Sequence, residues 1–243
     1  MSSETAQQTK EPGFIAGTLR LIVEVALIAF VLNTFLFRIF NIPSGSLIPT
    51  LLINDYILVS KYAYGYSRHS IPFSPPLFEG RIWEALPKRG DLAVFKNPKQ
   101  PSQDFIKRVI GLPGDRVQVR GGTLYLNGVA VPREAAQDYE MIDEWGRQQR
   151  VPMFRETLPG GPSYYVIEVN GNRGPLDDTP EFLVGPRELF MMGDNRDNSL
   201  DSRDTELVGP VPVDNLVGRA ELIVFSIDQF SGFLRVWEWP WAL

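Results

Sequence analysis

Hydrophobic residues are concentrated first in one long block near the start of the chain. Residues 14–37 are predominantly apolar, and a helix of that length, rising 1.5 Å per residue, would measure about 36 Å against a hydrocarbon core of about 30 Å. Arg20 and Glu24 interrupt the block, but they lie four residues apart and therefore share one helix face, where they can pair. We predict a single transmembrane helix over 14–37, with a buried or interfacial helix as the alternative.

After Phe37 the pattern changes to short alternating runs bounded by turn residues. The runs are residues 55–60, 91–95, 105–110, 116–120, 123–126 and 222–227. Pro-Gly, Gly-Gly and Asn-Gly pairs at 113–114, 121–122 and 127–128 are typical of hairpins. The predicted fold class is therefore mainly β: an N-terminal transmembrane helix followed by an antiparallel β-sheet domain with an inserted β-rich subdomain.

Changes in composition along the chain suggest where its parts begin and end. Residues 64–88 and roughly 130–165 are richer in proline, glycine and charge, which is typical of excursions from a core. The expected parts are a tail at 1–13, an anchor at 14–37, a core from 38–115 and 188–228, an insertion at 116–187 and a Trp-rich segment at 229–243. The alternating Trp237, Trp239 and Trp241 are expected either at the lipid headgroups or in ordinary strand packing.

Composition and charge remove several classes of chemistry. The 243 residues carry a net charge of −5, with lysine and arginine spread along the chain, so no basic face for nucleic acid is predicted. The absence of cysteine excludes disulfides, thiolate metal sites and cysteine nucleophiles. A Ser-His-Asp arrangement would have to use His69, because it is the only histidine in the sequence.

The first candidate for chemistry is the hydroxyl of Ser46. It belongs to the segment 42–51, Ile-Pro-Ser-Gly-Ser-Leu-Ile-Pro-Thr-Leu, which closely follows the apolar block. Gly45 permits an unusual backbone, and Pro43 and Pro49 restrict the chain around it, so that a hydroxyl and a backbone N–H can be presented together. Taken alone, Pro-Ser-Gly-Ser is more often a linker or a turn.

A serine needs a base to become a nucleophile. His69 lies in a polar, Pro-rich stretch and is expected to be an exposed loop residue. Lys107 is the better candidate, because strand alternation places it on one face with Phe105 and Val109, whose apolar side chains would desolvate its ammonium. To be useful near pH 8, its pKa must fall by roughly 2 to 3 units from about 10.4. The alternative for Lys107 is an edge-strand lysine that discourages aggregation.

A third segment, residues 192–204, is dense in aspartate, asparagine, serine and arginine. Oxygen ligands fall at alternate positions from Asp197, as in a calcium loop, but the sixth position is Ser202 rather than glycine. Arg196 and Arg203 would also bring positive charge beside a cation. We therefore assign no metal ligand and expect a buried polar network that supports a site, with a structural Asx turn and Asp–Arg pairs as the alternative.

Together these segments resemble the type I signal peptidases, membrane-anchored Ser/Lys endopeptidases that remove signal peptides from exported proteins. Four motifs carry the resemblance, in the family's order: Ile42-Pro-Ser-Gly-Ser46 followed by Pro49-Thr-Leu51, Lys88-Arg-Gly-Asp-Leu-Ala-Val-Phe95, Ile106-Lys-Arg-Val-Ile-Gly-Leu-Pro-Gly-Asp115, and Gly193-Asp-Asn-Arg-Asp-Asn-Ser-Leu-Asp-Ser-Arg203. Any one motif can arise by chance, whereas all four together are highly specific. Leu200 departs from the pattern, because relatives often have a smaller residue there.

The resemblance implies roles for individual residues. Ser46 would be the nucleophile and Lys107 the general base, and the Ser44 hydroxyl would join the Ser46 backbone N–H in the oxyanion hole. Ser199 would hydrogen-bond the Lys107 amine and aim it. Three residues would hold the loop that carries Ser199: Asn198, Asp201 and Arg203. Eight positions would border the substrate groove: Phe40, Ile42, Pro43, Leu47, Leu51, Asp104, Phe105 and Ile106.

The resemblance also implies partners and a location. The substrates would be secretory preproteins whose signal peptides carry small residues before the cleavage site and add to the groove as a β-strand. The lipid bilayer would be a partner, and neither a cofactor nor a metal is implied. Residues 1–13 would lie in the cytoplasm and the catalytic domain on the extracytoplasmic side of the bacterial inner membrane. Two rivals remain: a self-cleaving Ser/Lys regulator, which should carry a DNA-binding domain, and a membrane-tethered β module with a calcium-binding acidic loop.

Overall fold

The apolar block folds as one exposed helix. In the computed structural model, which describes residues 14–142, 146–228, 232 and 234, helix α1 spans Phe14–Val31 and continues into a π-helical turn, Leu32–Leu36. Residues Ile15–Leu36 form a helix of 22 residues that is long and apolar enough to cross a membrane. Nearly all of its side chains are exposed, as expected for a helix that faces lipid on every side. Arg20 Nε lies 2.7 Å from Glu24 Oε1.

The rest of the described chain is built from short strands. Their bounds are β1 Phe37–Asn41, β2 Asp55–Ser60, β3 Leu92–Lys96, β4 Asp104–Gly111, β5 Arg116–Arg120, β6 Thr123–Leu126, β7 Val129–Ala130, β8 Arg133–Ala135, β9 Tyr139–Ile142, β10 Gln148–Val151, β11 Met153–Thr157, β12 Ser163–Ile167, β13 Phe182–Leu183, β14 Glu188–Met192, β15 Val211–Pro212 and β16 Leu216–Ser226. Single 3-10 turns occur at Tyr62–Tyr64, Arg68–Ser70 and Val213–Asn215. The mainly β fold class is confirmed. Phe37, which we predicted in the helix, is the first residue of β1.

Seven antiparallel strands form the main sheet, in the order β1-β2-β16-β3-β4-β14-β15. Both faces are covered by apolar clusters: Ile57, Leu92 and Val94 belong to one, and Phe95 and Val109 to the other. Strands that are buried on two faces read as continuous apolar runs, and this is the pattern of β14, in which four successive residues are buried. The sheet draws its strands from residues 37–111 and 188–226.

Strand β4 carries charged residues into both faces of this sheet. Phe105 and Val109 pack in one apolar cluster, whereas Ile106 and Ile110 belong to the clusters of the opposite face. Because side chains alternate along a strand, Lys107 points with Phe105 and Val109. Arg108 points the other way.

Residues 116–183 form three smaller antiparallel sheets, with strand orders β13-β5-β6-β7, β12-β11-β8 and β10-β9. Val117 and Leu124 of this region share a core with Phe190 and Met192 of β14, which joins the small sheets to the main one. Residues 143–145 lie outside the described residues, as do the tail at 1–13 and Trp237, Trp239 and Trp241, for which predictions were made above.

Candidate active site

Ser46 is fixed by a buried apolar segment that packs on the main sheet. Ile42, Leu47 and Leu51 are each at most 2% exposed and pack with β3 side chains. The segment also closes on itself, since Leu51 N donates to Leu47 O at 3.0 Å. Burial of each such side chain stabilises the fold by roughly 1.5–3 kcal/mol. The backbone at Ser46 is therefore held in place before any substrate arrives.

Lys107 reaches Ser46 from strand β4. Its Nζ lies 2.5 Å from Ser46 Oγ, although the two residues are 61 positions apart in the chain. Both side chains are buried, with 5% of Lys107 and 7% of Ser46 exposed. Lys107 Nζ also lies 5.6 Å from the centroid of the Phe105 ring, the apolar neighbour expected from strand alternation.

Burial lowers the pKa of Lys107 from its usual 10.5 to about 8. Asp201 and Asp194 act in the opposite direction, and Arg203 lowers the pKa further. Lys107 forms no ion pair with a described carboxylate. The nearby carboxylates pair with arginines instead: Asp201 with Arg203 at 2.9 Å and Asp194 with Arg108 at 2.6 Å. The ammonium is therefore desolvated without a direct counter-charge, and the neutral amine is populated near pH 8.

Two hydrogen-bond donors close to the Ser46 hydroxyl are candidates for binding a negative oxygen formed there. Ser44 is exposed, and its Oγ lies 3.4 Å from Ser46 Oγ. The backbone N–H of Ser46 donates to no acceptor in the described part of the chain. Donors held in advance at the position of a developing oxyanion stabilise it strongly. The arrangement therefore suits a tetrahedral intermediate of acyl transfer.

The acidic loop is organised around the fully buried Asp201. Its carboxylate accepts hydrogen bonds from Gly193 N at 3.0 Å and from Arg203 Nε and Nη2, both at 2.9 Å. Burial alone would raise the pKa of Asp201, but Arg203 and the Gly193 N–H lower it below its usual value. Arg203 also donates to Arg196 O at 2.7 Å, which closes the loop on itself.

Asn195 clamps this loop onto the backbone of the Ser46 segment, a role that the sequence did not reveal. Its backbone N donates to Ser46 O and its Nδ2 to Gly45 O, both at 3.1 Å. The close approach depends on Gly193, because a Cβ there would lie 2.5 Å from Ser46 O and 2.2 Å from Ser199 Oγ. The sequence offered one indication of this contact, which is that Asn195 lies inside the acidic motif.

A second missed group lies on the other face of β4. Arg108 Nε and Nη2 bind the two oxygens of Asp194 at 2.8 and 2.6 Å, and Thr50 Oγ1 donates to Asp194 at 2.5 Å. The guanidinium also lies 4.2 Å from the centroid of the Tyr164 ring. This network ties β4, the Ser46 segment and the acidic loop together. The sequence signal for this pair was Arg108 itself, which lies between Ile106 and Ile110. An arginine buried among isoleucines requires a carboxylate partner.

Two predictions for the acidic loop are wrong. The Ser199 hydroxyl is buried beside Asp201, whose pKa it helps to lower, and it makes no hydrogen bond to the Lys107 amine in the described structure; the amine instead faces Ser46. Asn198 is exposed, and the hydrogen bond it makes in this loop is that of its backbone N to Asn195 O. The side chain of Asn195, rather than that of Asn198, contributes to holding the loop.

The predicted groove residues divide into two sets. Ile42, Leu47 and Leu51 are core residues with almost no exposed surface, and their place at the groove stays a prediction. The others offer surface to the solvent: Phe40, Phe105 and Ile106 are half-buried, and Pro43 and Asp104 are exposed. Beside them, β14 pairs with β4 only from Arg108 onward. Residues 104–107, which end at Lys107, therefore keep one strand edge unpaired within the described structure.

His69, expected to be an exposed loop residue, is buried with 7% of its surface exposed. It lies in the 3-10 turn Arg68–Ser70, whose first turn is capped by the Ser67 hydroxyl. Burial and the neighbouring Arg68, Lys96 and Arg81 lower the pKa of His69 to about 4. Its described hydrogen bonds involve Arg68 and Ser67 rather than Ser46, so Lys107 is the base that the geometry offers.

Comparison with known proteins gives a consistent result. Residues 15–225 match the family described as signal peptidase, peptidase S26. The chain is similar to the signal peptidase I of Rickettsia canadensis, with 40% identity over 209 residues that cover 83% of this chain and 77% of that protein. The signal peptidase I of Rickettsia conorii is 39% identical over 83% of this chain and 76% of its own. A crystal structure of a signal peptidase I from Enterococcus faecalis aligns with a TM-score of 0.35 and 28% identity, covering 56% of this chain and 97% of that one.

Proposed function

The chain belongs to the signal peptidase family S26, and we propose that Ser46 and Lys107 are its catalytic dyad. The protein is a serine endopeptidase that cleaves signal peptides from secreted preproteins, as the four sequence motifs implied. The observation that supports the residue assignment is the 2.5 Å contact between Lys107 Nζ and Ser46 Oγ. The lowered pKa of Lys107 adds to it, because a general base must be neutral before it can accept a proton.

In the first half of the reaction, neutral Lys107 accepts the Ser46 Oγ proton while Oγ attacks the carbonyl carbon of the scissile bond. The carbonyl oxygen becomes an oxyanion, which accepts hydrogen bonds from the Ser46 N–H and the Ser44 hydroxyl. When the intermediate collapses, the C–N bond breaks and the Lys107 ammonium gives its proton to the leaving amine. The products of this half are an acyl-enzyme on Ser46, a free mature N-terminus and a neutral Lys107.

In the second half, Lys107 accepts a proton from water, whose oxygen attacks the ester carbon. The same two donors stabilise the second oxyanion. Collapse breaks the bond between the ester carbon and Ser46 Oγ, and Lys107 returns the proton to that oxygen. The signal peptide leaves with a new carboxylate, and Ser46 and Lys107 are restored.

We infer that the signal peptide binds as an added strand on the unpaired edge of β4. Residues 104–107 supply this edge and end at the base, Lys107. Pro43, in the segment that carries Ser46, is exposed. Main-chain hydrogen bonds to such an edge align an extended peptide without reading its side chains. A preference for small residues before the cut would then come from the narrow space between the two segments.

The membrane is the proposed second partner, and we expect residues outside the apolar helix to contact it as well. The region after β2 exposes a set of large apolar side chains that we call the aromatic patch: Tyr62, Phe73, Leu77 and Trp83. This patch is joined to the anchor, since Tyr66 Oη donates to Phe35 O at 2.8 Å and the Tyr66 ring lies 6.1 Å from that of Trp83. Exposed aromatic residues at the end of a membrane anchor favour the headgroup region. Because signal peptides are cut after export, we place residues 1–13 in the cytoplasm and the catalytic domain outside it.

Cleavage of a preprotein in liposomes by single-residue variants tests the dyad. We expect Ser46→Ala and Lys107→Ala each to lower the rate by at least about 10³-fold with the fold intact. Ser102→Ala and Lys99→Ala are matched controls, because both residues are exposed in the turn before β4, and they should cleave at the wild-type rate. Substantial activity in either dyad variant would refute the assignment.

A further inference from the structure

A cluster of three carboxylates lies beside the acidic loop, outside the catalytic dyad. Glu168 follows β12, Asp177 lies before β13, and Asp197 belongs to the acidic loop. One oxygen from each lies within 4.8 Å of the others. Glu168 and Asp177 are 1% and 2% exposed. Three ionised groups this close and this dry repel one another strongly.

Two oxygens of the cluster have no hydrogen-bond donor among the described residues. Glu168 Oε1 accepts from Arg133 Nη2 at 2.8 Å, but its Oε2 is buried and unpartnered. Asp197 Oδ2 accepts from Asn170 N at 2.6 Å, but its Oδ1 is likewise buried and unpartnered. A buried carboxylate oxygen without a donor is costly, so it indicates a positive partner.

The protein supplies too little positive charge at this position. Full ionisation of the three carboxylates would leave two formal negative charges beyond the one that Arg133 balances at Glu168. The neighbouring Arg196 is bound through both terminal nitrogens to Glu156, at 3.1 and 2.5 Å. A divalent cation would balance the remaining charge.

The backbone leaves room for the unpartnered oxygens. A Cβ on Gly174 would lie 2.0 Å from Asp197 Oδ1 and 3.2 Å from Asp177 Oδ2. Gly174 N donates to Asp177 Oδ2 at 2.6 Å, which aims that carboxylate. Glycine at this position therefore permits the two aspartates to approach each other.

We propose that Glu168, Asp177 and Asp197 bind one calcium ion that fastens the acidic loop to the small-sheet region. The donor set consists of oxygen, which favours a hard cation over zinc or copper. Calcium accepts irregular geometry and completes its shell with water, whereas magnesium requires a near-ideal octahedron. The loop already meets this region, because Ile167 N donates to Asp194 O and Arg196 N to Ile167 O, both at 3.0 Å. The ion would secure that junction, which Asn195 connects to Ser46.

Calorimetric titration of the chelator-treated, full-length protein in detergent with calcium chloride tests the proposal. We expect saturable binding of one ion and a higher melting temperature with calcium. Asp177→Asn should weaken binding by about tenfold or more, because it removes one ligand charge. Asp178→Asn is the matched control: this neighbouring carboxylate is exposed and accepts from Gly121 N, and its loss should leave the affinity within about twofold.

Two further variants make the result decisive. Gly174→Ala keeps all three carboxylates but crowds Asp197, and it should weaken calcium binding as well. Ser46→Ala should bind calcium as the wild type does, so failure of the dyad and failure of the calcium site are separable. The proposal is wrong if the wild type shows no saturable binding, or if Asp177→Asn binds equally well. It is also wrong if Asp177→Asn raises the melting temperature while calcium does nothing to the wild type, since the carboxyls then share protons instead of an ion.

Discussion

Two buried lysines in this molecule have similarly lowered pKa values and different surroundings. Lys61 is 1% exposed and Lys107 5%, and burial lowers the pKa of each to about 8. Lys61 donates to the carbonyl oxygen of Ser70 at 2.6 Å, whereas Lys107 lies 2.5 Å from the hydroxyl of Ser46. A carbonyl oxygen has no proton to give, and a hydroxyl has one.

A lowered pKa is therefore necessary for a lysine base but does not identify one. At Lys61, desolvation and the positive Arg38 act together on the pKa, and the amine meets an acceptor that only favours its charged form. At Lys107 the amine meets an acidic group beside an unpaired strand edge. Reactivity therefore depends on the atom opposite the nitrogen and on access for a substrate.

Lys107→Met is the substitution with the largest expected effect. It removes the base while keeping an unbranched apolar side chain, so kcat for preprotein cleavage should fall by at least about 10³-fold. Because the buried ammonium is also removed, the free energy of unfolding at pH 7 should rise by about 1–3 kcal/mol. Urea denaturation measures this second effect. An inactive variant that is also less stable would indicate a structural rather than a catalytic lysine.

Ser44→Ala should have the next largest effect. Removing one oxyanion donor typically costs about 10²–10³-fold in kcat, and KM should change little because the interaction is made mainly in the transition state. Steady-state kinetics on a preprotein separates the two constants. A rise in KM alone would assign Ser44 to substrate binding instead.

The dependence of kcat/KM on pH should show a smaller effect, which tests the lowered pKa of Lys107. Below about pH 8, kcat/KM should fall by about tenfold per pH unit, because only neutral Lys107 accepts a proton. Stability should change in the opposite window: between about pH 8 and 10.5 the unfolded lysines bind more protons than the folded ones, so the free energy of unfolding rises with pH. A flat activity profile down to pH 5 contradicts the assigned base.

Lys61→Met should have the smallest effect on activity. Its amine lies against Ser70 O and does not meet Ser46 in the described structure, so the cleavage rate should remain within about twofold of wild type. Lys61 resembles Lys107 in its burial and its lowered pKa. Lys61→Met therefore serves as the matched control for Lys107→Met. A loss comparable to that of Lys107→Met would show that burial, not the contact with Ser46, governs activity.

Much of the fold was predictable because local patterns agree with the tertiary structure. The strands at 55–60, 116–120 and 123–126 match the predicted runs residue for residue, since alternation and flanking turns bound them clearly. Strand β16 begins six residues before the predicted run at 222, because its first part is buried almost throughout and lacks alternation. Its bulges, at 220/222 and 223/225, obscure the period further.

The site was predictable where each residue stands out within its own motif. The contact of Ser46 with Lys107 and the direction of the Lys107 pKa follow from residues that the sequence singled out. The clamp by Asn195 and the Arg108–Asp194 pair depend on tertiary contacts that no local pattern encodes. The prediction that His69 is exposed failed for the same reason, because a polar neighbourhood in the sequence does not reveal burial.

The joint between the anchor and the main sheet fixes more than attachment. The helix passes into β1 at Phe37 without a linker, and Lys61 N donates to Leu36 O at 2.9 Å while Tyr66 Oη holds Phe35 O. A joint braced in this way holds Ser46 at a set distance from the end of the apolar helix. With the helix in the membrane, as proposed above, this fixed distance would select the scissile bond by its separation from the apolar segment of the preprotein.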